Sequence, residues 1–458
     1  MSLKDYQDPG SCPFKRPALS EMCEETRTLH QSIDGFAQKS GERWLHPESI
    51  TLTKDLLGGR HMQSWQEQKG ALSMLGEDCW STLPQVYARY ATEPGRELIK
   101  AICRLENAKG VVVTDCGMQA TAIVMDTLLK PNTHALISRQ VYNKSKAYLD
   151  WSAQRIHVRP QVIDEITPET LREFATTDTV LVFTETYSNP LMHALDLEGL
   201  SKAVVELRKE QAPKLRLVVD NTIVTPWGVQ SPVLDLPGVH LVVSAGTKAL
   251  GGEDKDMWGY IASNIIDLIN PCMDTQAMRG GVLSWRSAQV IHAGLDQAES
   301  HFRKRCQSAD AVVEFLLSHP KVSEVFHPSV PSHPHRKIID SQYALGGSLM
   351  SFRVNGLTEE QTSHFCDVLA MTIVPRYALS FDGLVTKLNH HKTVSEFYGL
   401  EAMLKKQGID RLVRLGVGTE NPADIIACLN WALWHFESVS AQDVEAWQDE
   451  REMALRPS

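Results

Sequence analysis

The sequence predicts an α/β protein whose mostly parallel sheet, covered by helices on both faces, is followed by a smaller α+β domain. Two observations carry this prediction. Short apolar runs rich in β-branched residues alternate with helical segments from about residue 94 to residue 262, which is typical of buried parallel strands. Beyond about residue 300 this alternation changes, and helical segments flank one clear strand.

The predicted elements follow one another in a regular order. Pro94 and Gly95 open the first helix, because proline is tolerated in a first helical turn. Pro131-Asn132 then turns the chain into a strand. The predicted strands are the runs 111–114, 134–138, 180–184, 215–219, 240–243, 260–262 and 349–354. The predicted helices are 94–105, 117–129, 197–208, 309–317 and 423–436.

These patterns divide the chain into three regions. Residues 1–80 are polar and rich in proline and glycine, which indicates an N-terminal arm or a partner-contacting extension. A floppy tail is an equal alternative for the first thirty residues. Residues 81–300 are predicted to form the large domain, and residues 301–458 the C-terminal domain.

Charge and cysteine content exclude several classes of function. The formal net charge is -10 and no basic stripe is present, so nucleic-acid binding is not predicted. Nine cysteines include no Cys-x-x-Cys pair, so we predict no metal site and expect reduced thiols in a cytoplasmic protein. The N-terminus has no apolar signal region, and no uncharged run is long enough to span a membrane.

A carboxylate and a lysine carry the main chemical hypothesis. Asp220 ends a predicted strand, where open α/β sheets place ligands. Lys248 follows the next strand among small and hydroxyl residues, which suits a Schiff-base lysine. Taken alone, an aspartate at the end of a strand is more often a helix cap or a loop carboxylate. A lysine after a strand is more often a solvated surface charge. Together they indicate a carbonyl cofactor whose ring nitrogen is kept protonated by Asp220.

Other residues fit the remaining parts of such a cofactor. Ser244 and Thr247 are candidate hydroxyl donors to a phosphate. Gly117 and Met118, at a strand-to-helix turn, offer backbone N–H groups and a helix N-terminus to the same phosphate. Tyr142 follows a strand and is a candidate to stack on the ring.

A series of landmarks in one order resembles the Cys/Met-metabolism family of pyridoxal-phosphate enzymes, over roughly residues 87–436. The family includes cystathionine γ-synthase, cystathionine lyases, methionine γ-lyase and O-acetylhomoserine sulfhydrylase. The landmarks are Tyr87-Ala88-Arg89, Gly117-Met118, Val141-Tyr142, Glu185-Thr186-Tyr187-Ser188-Asn189-Pro190, Asp220-Asn221-Thr222, Thr247-Lys248, Ser318-His319-Pro320-Lys321-Val322 and Arg411-Leu412-Val413-Arg414-Leu415.

The resemblance implies an aspartate-aminotransferase-like fold (fold type I), pyridoxal 5'-phosphate as cofactor and a small amino-acid substrate. It also implies a homo-oligomer, a dimer of dimers, in which Tyr87 and Arg89 reach the phosphate of a neighbouring subunit. Arg414 is implied to hold the substrate carboxylate, and Asn189 and Ser380 to contact the substrate. Lys248 and Tyr142 are then the catalytic residues.

The implied reaction is elimination or replacement at Cβ or Cγ of a cysteine-, homoserine- or methionine-type substrate. An aminotransferase or decarboxylase on the same fold, and a catalytically silent scaffold or regulatory protein, are the alternatives. Departures from the family pattern concern substrate and reaction more than cofactor binding. Ala245 replaces the usual Ser three residues before the lysine, residues 253–256 replace the usual His-Ser-Asp, and no Cys follows Tyr142. Leu379 stands where cystathionine γ-enzymes tend to carry Glu.

Overall fold

The fold is seen in a computed structural model, which describes residues 23–24, 27–28, 89, 92–251, 256–372, 374–395 and 401–455. The predicted N-terminal arm, residues 1–80, lies almost entirely outside the described residues, and so does Tyr87. Two sheets with their helices make up the described part of the chain.

The first sheet, as far as the structure describes it, has seven strands in the spatial order β1-β7-β6-β5-β4-β2-β3. They are β1 (Gly110–Thr114), β2 (His134–Ser138), β3 (Arg159–Ile163), β4 (Thr179–Glu185), β5 (Arg216–Asp220), β6 (Val239–Ser244) and β7 (Gly259–Ser263). β7 is antiparallel to both of its neighbours, and the other strands share one direction. The prediction of a mostly parallel sheet is therefore confirmed.

Helices cover both faces of this sheet. They are α1 (Glu93–Glu106), α2 (Gly117–Leu128), α3 (Asn143–Ile156), α4 (Pro168–Phe174), α5 (Leu197–Glu210) and α6 (Ile266–Arg279). Side chains alternate along β5: Leu217 and Val219 join one apolar core, and Val218 joins the other. Neither face of β5 is exposed at these positions, which explains the uninterrupted apolar run 217–219 at its centre.

A 34-residue helix, α7 (Trp285–Ser318), runs from the first sheet to the second. The helix predicted at 309–317 is its last part, and the boundary predicted at residue 300 falls inside it. The guanidinium of Arg305, which is fully buried in α7, donates to the carbonyl oxygens of Ala249 at 3.3 Å and of Gly383 at 3.1 Å. One side chain thus joins a loop of the first sheet to a loop of the second.

The second sheet has the order β10-β11-β12-β9-β8 in the described residues. Its strands are β8 (Val322–Phe326), β9 (Leu349–Val354), β10 (Arg376–Tyr377), β11 (Lys387–His390) and β12 (Val413–Gly416). The accompanying helices are α8 (Arg336–Gln342), α9 (Glu359–Met371), α10 (His391–Ser395), α11 (Glu401–Gln407), α12 (Pro422–His435) and α13 (Ala441–Leu455). The smaller α+β region is confirmed, and its core packs Phe352 against Phe365 edge to face.

No helix in the described part of the chain combines the length and the hydropathy needed to cross a bilayer.

Candidate active site

A cavity of about 550 Å³ opens at the carboxyl ends of the parallel strands. Parallel strands bring their carboxyl ends to one edge of a sheet, so residues distant in sequence meet there. The cavity collects residues that follow β1, β2, β4, β5 and β6, and it also receives residues of the second sheet. The predicted site residues that line it are Gly117, Met118, Tyr142, Asn189, Asp220, Thr247, Lys248 and Arg414.

Lys248 lies in a tight turn after β6, where its backbone N–H donates to the carbonyl oxygen of Ala245 at 3.0 Å. Its Nζ donates to the hydroxyl of Ser380, which comes from the second sheet. The ammonium also lies 4.9 Å from the ring centroid of Phe381, a distance at which a cation is attracted to an aromatic face. The structure therefore brings together the lysine and the serine that the sequence analysis assigned separately.

Two carboxylates stand side by side where β4 and β5 end. Glu185 and Asp220 are direct partners in the strand register. Asp220 accepts from the backbone N–H of Thr222 at 2.9 Å, and Glu185 accepts from the backbone N–H of Tyr142 at 2.6 Å. Burial raises the pKa of both carboxyls, and the charge of Asp220 raises the pKa of Glu185 further. A cation beside Asp220 would offset that burial, so the pair fits a protonated ring nitrogen.

Glu185 and Thr222 also line the cavity, although the sequence analysis gave them no role. The signal for Glu185 was present, because it ends its strand just as Asp220 ends the next one. Thr222 donates its hydroxyl to Asp220 and accepts from the backbone N–H of Ala245 at 2.8 Å. It thus links the acid of β5 to the loop that carries Lys248.

Helix α2 begins at the cavity with Gly117. Its N-cap residue, Cys116, makes no side-chain capping bond, and the first N–H groups of a helix have no partner within that helix. A Cβ at Gly117 would lie 2.4 Å from the Cβ of Ala245, so only glycine permits this approach of α2 to the lysine loop. The arrangement fits an anion such as a phosphate.

The hydroxyl of Thr247 is occupied in this structure. It donates to the carbonyl oxygen of Trp258 at 3.0 Å and accepts from the N–H of the same residue at 2.8 Å. Donation to a phosphate therefore requires this hydroxyl to turn away from Trp258.

Ser244 is not brought to the cavity. It is buried, and it pairs in the strand register with Tyr260. On β6, the side chains of Ser244 and Val242 point to the same face of the sheet. Val242 belongs to the apolar core on that face, whereas helix α2 packs into the core on the other face. Because successive side chains of a strand point to opposite faces, the cavity receives Ala245 instead. The structure thus separates Ser244 from Gly117 and Thr247.

The second sheet contributes Arg414, which is buried on β12. Its Nη2 donates to the carbonyl oxygen of Leu379 at 3.2 Å, and its guanidinium lies 5.7 Å from the ring centroid of Phe381. Burial lowers the pKa of Arg414 to about 10, and the group stays cationic at neutral pH. A buried guanidinium at the wall of a cavity suits bidentate binding of a carboxylate.

Asn189 and Tyr142 complete the lining. The buried Oδ1 of Asn189 has no hydrogen-bond partner among the described residues, so this acceptor is available to a ligand of the cavity. Tyr142 lies at the mouth of the cavity with 47% of its surface exposed, so its ring is accessible to a ligand. Arg89 is exposed and does not line this cavity of a single chain.

Comparisons with known proteins agree with this geometry. A family model described as "Cys/Met metabolism PLP-dependent enzyme" matches residues 80–434. An L-methionine gamma-lyase of Fusobacterium nucleatum is 29% identical over 351 residues, which are 76% of this chain and 86% of that protein. A cystathionine beta-lyase MetC of Staphylococcus haemolyticus is 30% identical over 349 residues, 76% of this chain and 84% of the other.

The solved structures lead to the same relatives. A cystathionine gamma synthase from Xanthomonas oryzae, determined in complex with cystathionine, superposes with a TM-score of 0.70. It is 26% identical, and the match covers 77% of this chain and 88% of that one. The family match, residues 80–434, includes the strands of both sheets.

Proposed function

We propose that this chain, which belongs to the Cys/Met metabolism family of pyridoxal-phosphate-dependent enzymes, eliminates or replaces a group at Cβ or Cγ of an amino acid. The substrate is of the sulfur-containing or homoserine type. One observation carries the proposal: Lys248, Asp220 and Arg414 line a single cavity of about 550 Å³. A covalent anchor, an acid for a ring nitrogen and a cation for a carboxylate are the groups that this chemistry needs.

The residues present fit the cofactor. Lys248 would hold it covalently and Asp220 would pair with its ring nitrogen. The N-terminus of α2 at Gly117 and Met118 would receive the phosphate, and Tyr142 would lie on the ring. Pyridoxal phosphate, when bound, supplies an electron sink that makes the Cα–H bond of an amino acid acidic.

The side chains then divide the remaining work. Arg414 binds the substrate carboxylate and fixes the orientation of Cα. The amine of Lys248, once released, takes the proton from Cα, and Ser380 keeps its Nζ in place. Phe381 covers both cations with an apolar ring, which limits the access of water.

A substrate panel tests the reaction. Purified holoenzyme is mixed with cystathionine, methionine, homocysteine, cysteine and an O-acylated homoserine, and ketoacid, thiol and ammonia are measured together. Ketoacid with ammonia and thiol identifies elimination, whereas loss of the acyl substrate only when a thiol is added identifies replacement. Ketoacid without ammonia release would instead favour an aminotransferase and overturn the proposal.

We further propose that Leu379 makes the enzyme prefer a substrate with an uncharged distal group, such as a thioether or an acyl ester. Leu379 lines the cavity with 76% of its surface exposed. An ammonium placed against it loses water without gaining a partner. Asp382, an acid three residues after Leu379, is buried, accepts from the hydroxyl of Ser348 and lies 4.0 Å from the Nε of Arg305. It is therefore engaged away from the cavity.

Leu379→Glu is expected to raise kcat/KM for cystathionine about tenfold relative to an apolar thioether, because a charged pair replaces the uncompensated ammonium. The ratio of kcat/KM for the two substrates is the measurement. Leu384→Glu, an exposed leucine outside the cavity lining, is the matched control and is expected to leave the ratio unchanged. A preference for cystathionine in the parent enzyme that Leu379→Glu does not alter would refute this role.

We propose that the active unit is at least a dimer and that a dimer of dimers forms, since Tyr87 and Arg89 resemble residues that complete a neighbour's phosphate site. Mixed subunits of two inactive variants, Arg89→Ala and Lys248→Ala, are then expected to regain up to about a quarter of parent activity, because one in four sites combines the intact halves. Activity of the mixture is compared with that of each variant alone. A fully active monomer in sedimentation would rule the dimer out.

Two further expectations are part of the proposal. Residues 1–80 form an arm, with the large domain from 81 to 300 and the C-terminal domain from 301 to 458. The enzyme works in the cytoplasm, an expectation that rests on nine cysteines, an odd number, spread along the chain without a Cys-x-x-Cys pair.

A further inference from the structure

A second cavity, of about 220 Å³, lies on the other side of Glu185 from the site described above. Three chain segments meet in it. Glu165 follows β3, His193 lies in the loop after β4, and His335 is the N-cap of α8. One ligand atom from each of these side chains lies within 4.8 Å of the other two.

The ring of His335 is held in a ligand-competent orientation. Its Nδ1 lies 2.7 Å from the carbonyl oxygen of Ala194, which can only accept, so Nδ1 carries a hydrogen. Its Nε2 points at Oε1 of Glu165, 3.2 Å away. The lone pair of this nitrogen and the carboxylate oxygen face the same point, so a cation between the two atoms would be bound by both. A histidine that donates its second N–H to a backbone carbonyl is the usual arrangement of a metal ligand.

His193 supplies the second imidazole. Its ring centroid lies 5.2 Å from that of His335, and its ring nitrogens make no hydrogen bond to a described residue. A ring nitrogen of His193 lies within 4.8 Å of a ligand atom of His335 and of one of Glu165. Neutral imidazole is the form that binds a metal.

The cavity has the electrostatics of a cation site. Five carboxylates are among its lining residues, whereas no Lys or Arg in the described part of the chain lines it. They are Asp164, Glu165, Glu169, Glu185 and Asp196. Asp164 pairs with Arg139, and Asp196 accepts from the backbone N–H of Gly199 at 3.0 Å. Glu165 is the carboxylate that lies beside the two imidazoles.

The loops that carry the ligands are fixed by bonds of their own. His333 binds the carbonyl oxygen of Met192 through Nε2 at 3.1 Å and accepts from the N–H of His335 through Nδ1 at 3.0 Å. The hydroxyl of Tyr343 is within bonding distance of the carbonyl oxygen of Leu195, at 2.7 Å. The site is therefore built before any ion arrives, which lowers the cost of binding.

We propose that Glu165, His193 and His335 bind a divalent transition-metal ion, zinc by preference, with water in the remaining position. Two imidazoles and one carboxylate form a set that zinc accepts in tetrahedral geometry. Ligand atoms about 2.1 Å from such an ion lie about 3.4 Å apart. The side chain of Glu165, with 45% of its surface exposed, is free to supply the small closure that this requires.

The test uses holoenzyme that has been dialysed against a chelator. Zinc chloride is titrated by calorimetry, and cobalt(II) is added in parallel because its visible absorption reports tetrahedral nitrogen and oxygen ligands. Wild-type protein is expected to bind zinc at this site with at least about tenfold higher affinity than His193→Gln or His335→Gln. His292→Gln, a histidine of α7 outside the cavity, is the matched control and should bind as the wild type does.

Thermal unfolding and the cofactor absorption band show whether each variant is folded. If a histidine variant does not fold, Glu165→Gln replaces it, because a partly exposed side chain tolerates that change. Zinc affinity and cobalt spectra that are the same in the folded variants and in the wild type would overturn the proposal, and so would a wild type that binds neither ion. Neither result bears on the function proposed for Lys248, since the readout is metal binding alone.

Discussion

Lys248→Ala is expected to lower kcat by at least about 10³-fold, because it removes both the covalent anchor of the cofactor and the base for the Cα proton. The Nζ of Lys248 faces the cavity and touches Ser380 and the ring of Phe381. Borohydride reduction of the parent holoenzyme, followed by peptide mapping, should leave the cofactor on the peptide that contains Lys248.

Lys144→Ala is the matched control for this prediction. Lys144 is a second lysine of the same cavity lining, is exposed and lies at the start of α3. Its removal changes the local charge equally but leaves the cofactor on Lys248, so the mapped peptide should be the same as in the parent. Reduced cofactor found on Lys144, or on any lysine other than Lys248, would defeat the assignment.

Asp220→Asn is expected to slow exchange of the substrate Cα proton about a hundredfold or more. The amide keeps the shape of the side chain but removes the charge that keeps the ring nitrogen protonated, and lost electrostatic contacts of this kind cost about 10²–10³ in rate. The measurement is the rate at which the Cα proton of a substrate is replaced by deuterium from the solvent, followed by NMR.

The variant Glu185→Gln distinguishes the role of Glu185 from that of the neighbouring Asp220. Burial and the charge of Asp220 raise the pKa of Glu185 well above its usual range, which favours the neutral carboxyl over the charged one. Glutamine resembles that neutral form and can still accept from the N–H of Tyr142. Its effect on proton exchange should therefore be much smaller. Equal losses in the two variants would show that the pair acts as one unit, and parent-like exchange in Asp220→Asn would contradict the role of Asp220.

The central strands were the most predictable part of the fold. A strand that is buried over most of its length is mainly apolar, as in β2 and β9, where the predicted bounds match the observed ones. Edge strands lack that signal. β3 begins with exposed Arg159-Pro160, and β8 keeps two exposed residues in five, so neither stands out from a loop. β3 and β8 become strands because each pairs with a neighbouring strand that lies far away in the sequence.

Helix α7 shows another limit of the sequence pattern. Its first half mixes charged and small residues, and the predicted helix covered only its apolar end at 309–317. A helix between two sheets contacts different partners along its length, so no single apolar stripe runs through it. Tertiary contacts decide its extent.

The site was predicted where a residue follows a strand, as for Asp220 and Lys248. The direction in which each side chain points was harder to predict from the sequence. Ser244 and Ala245 are adjacent, and one step along β6 moves a side chain to the other face. The contact of Lys248 with Ser380 joins residues 132 positions apart. The chain's hydrophobic pattern contains no information on such a pair, and only the resemblance assigned Ser380.

The link made by Arg305 has a mechanical consequence. The guanidinium of Arg305 binds the backbone one residue after Lys248 and three residues after Ser380, the serine that contacts this lysine. A hinge opening between the two sheets would break both bonds and expose a cation that has no contact with water in the closed form. We therefore expect the two sheets to keep a fixed relative position during the reaction. Substrates then enter and products leave through movements of the surface loops.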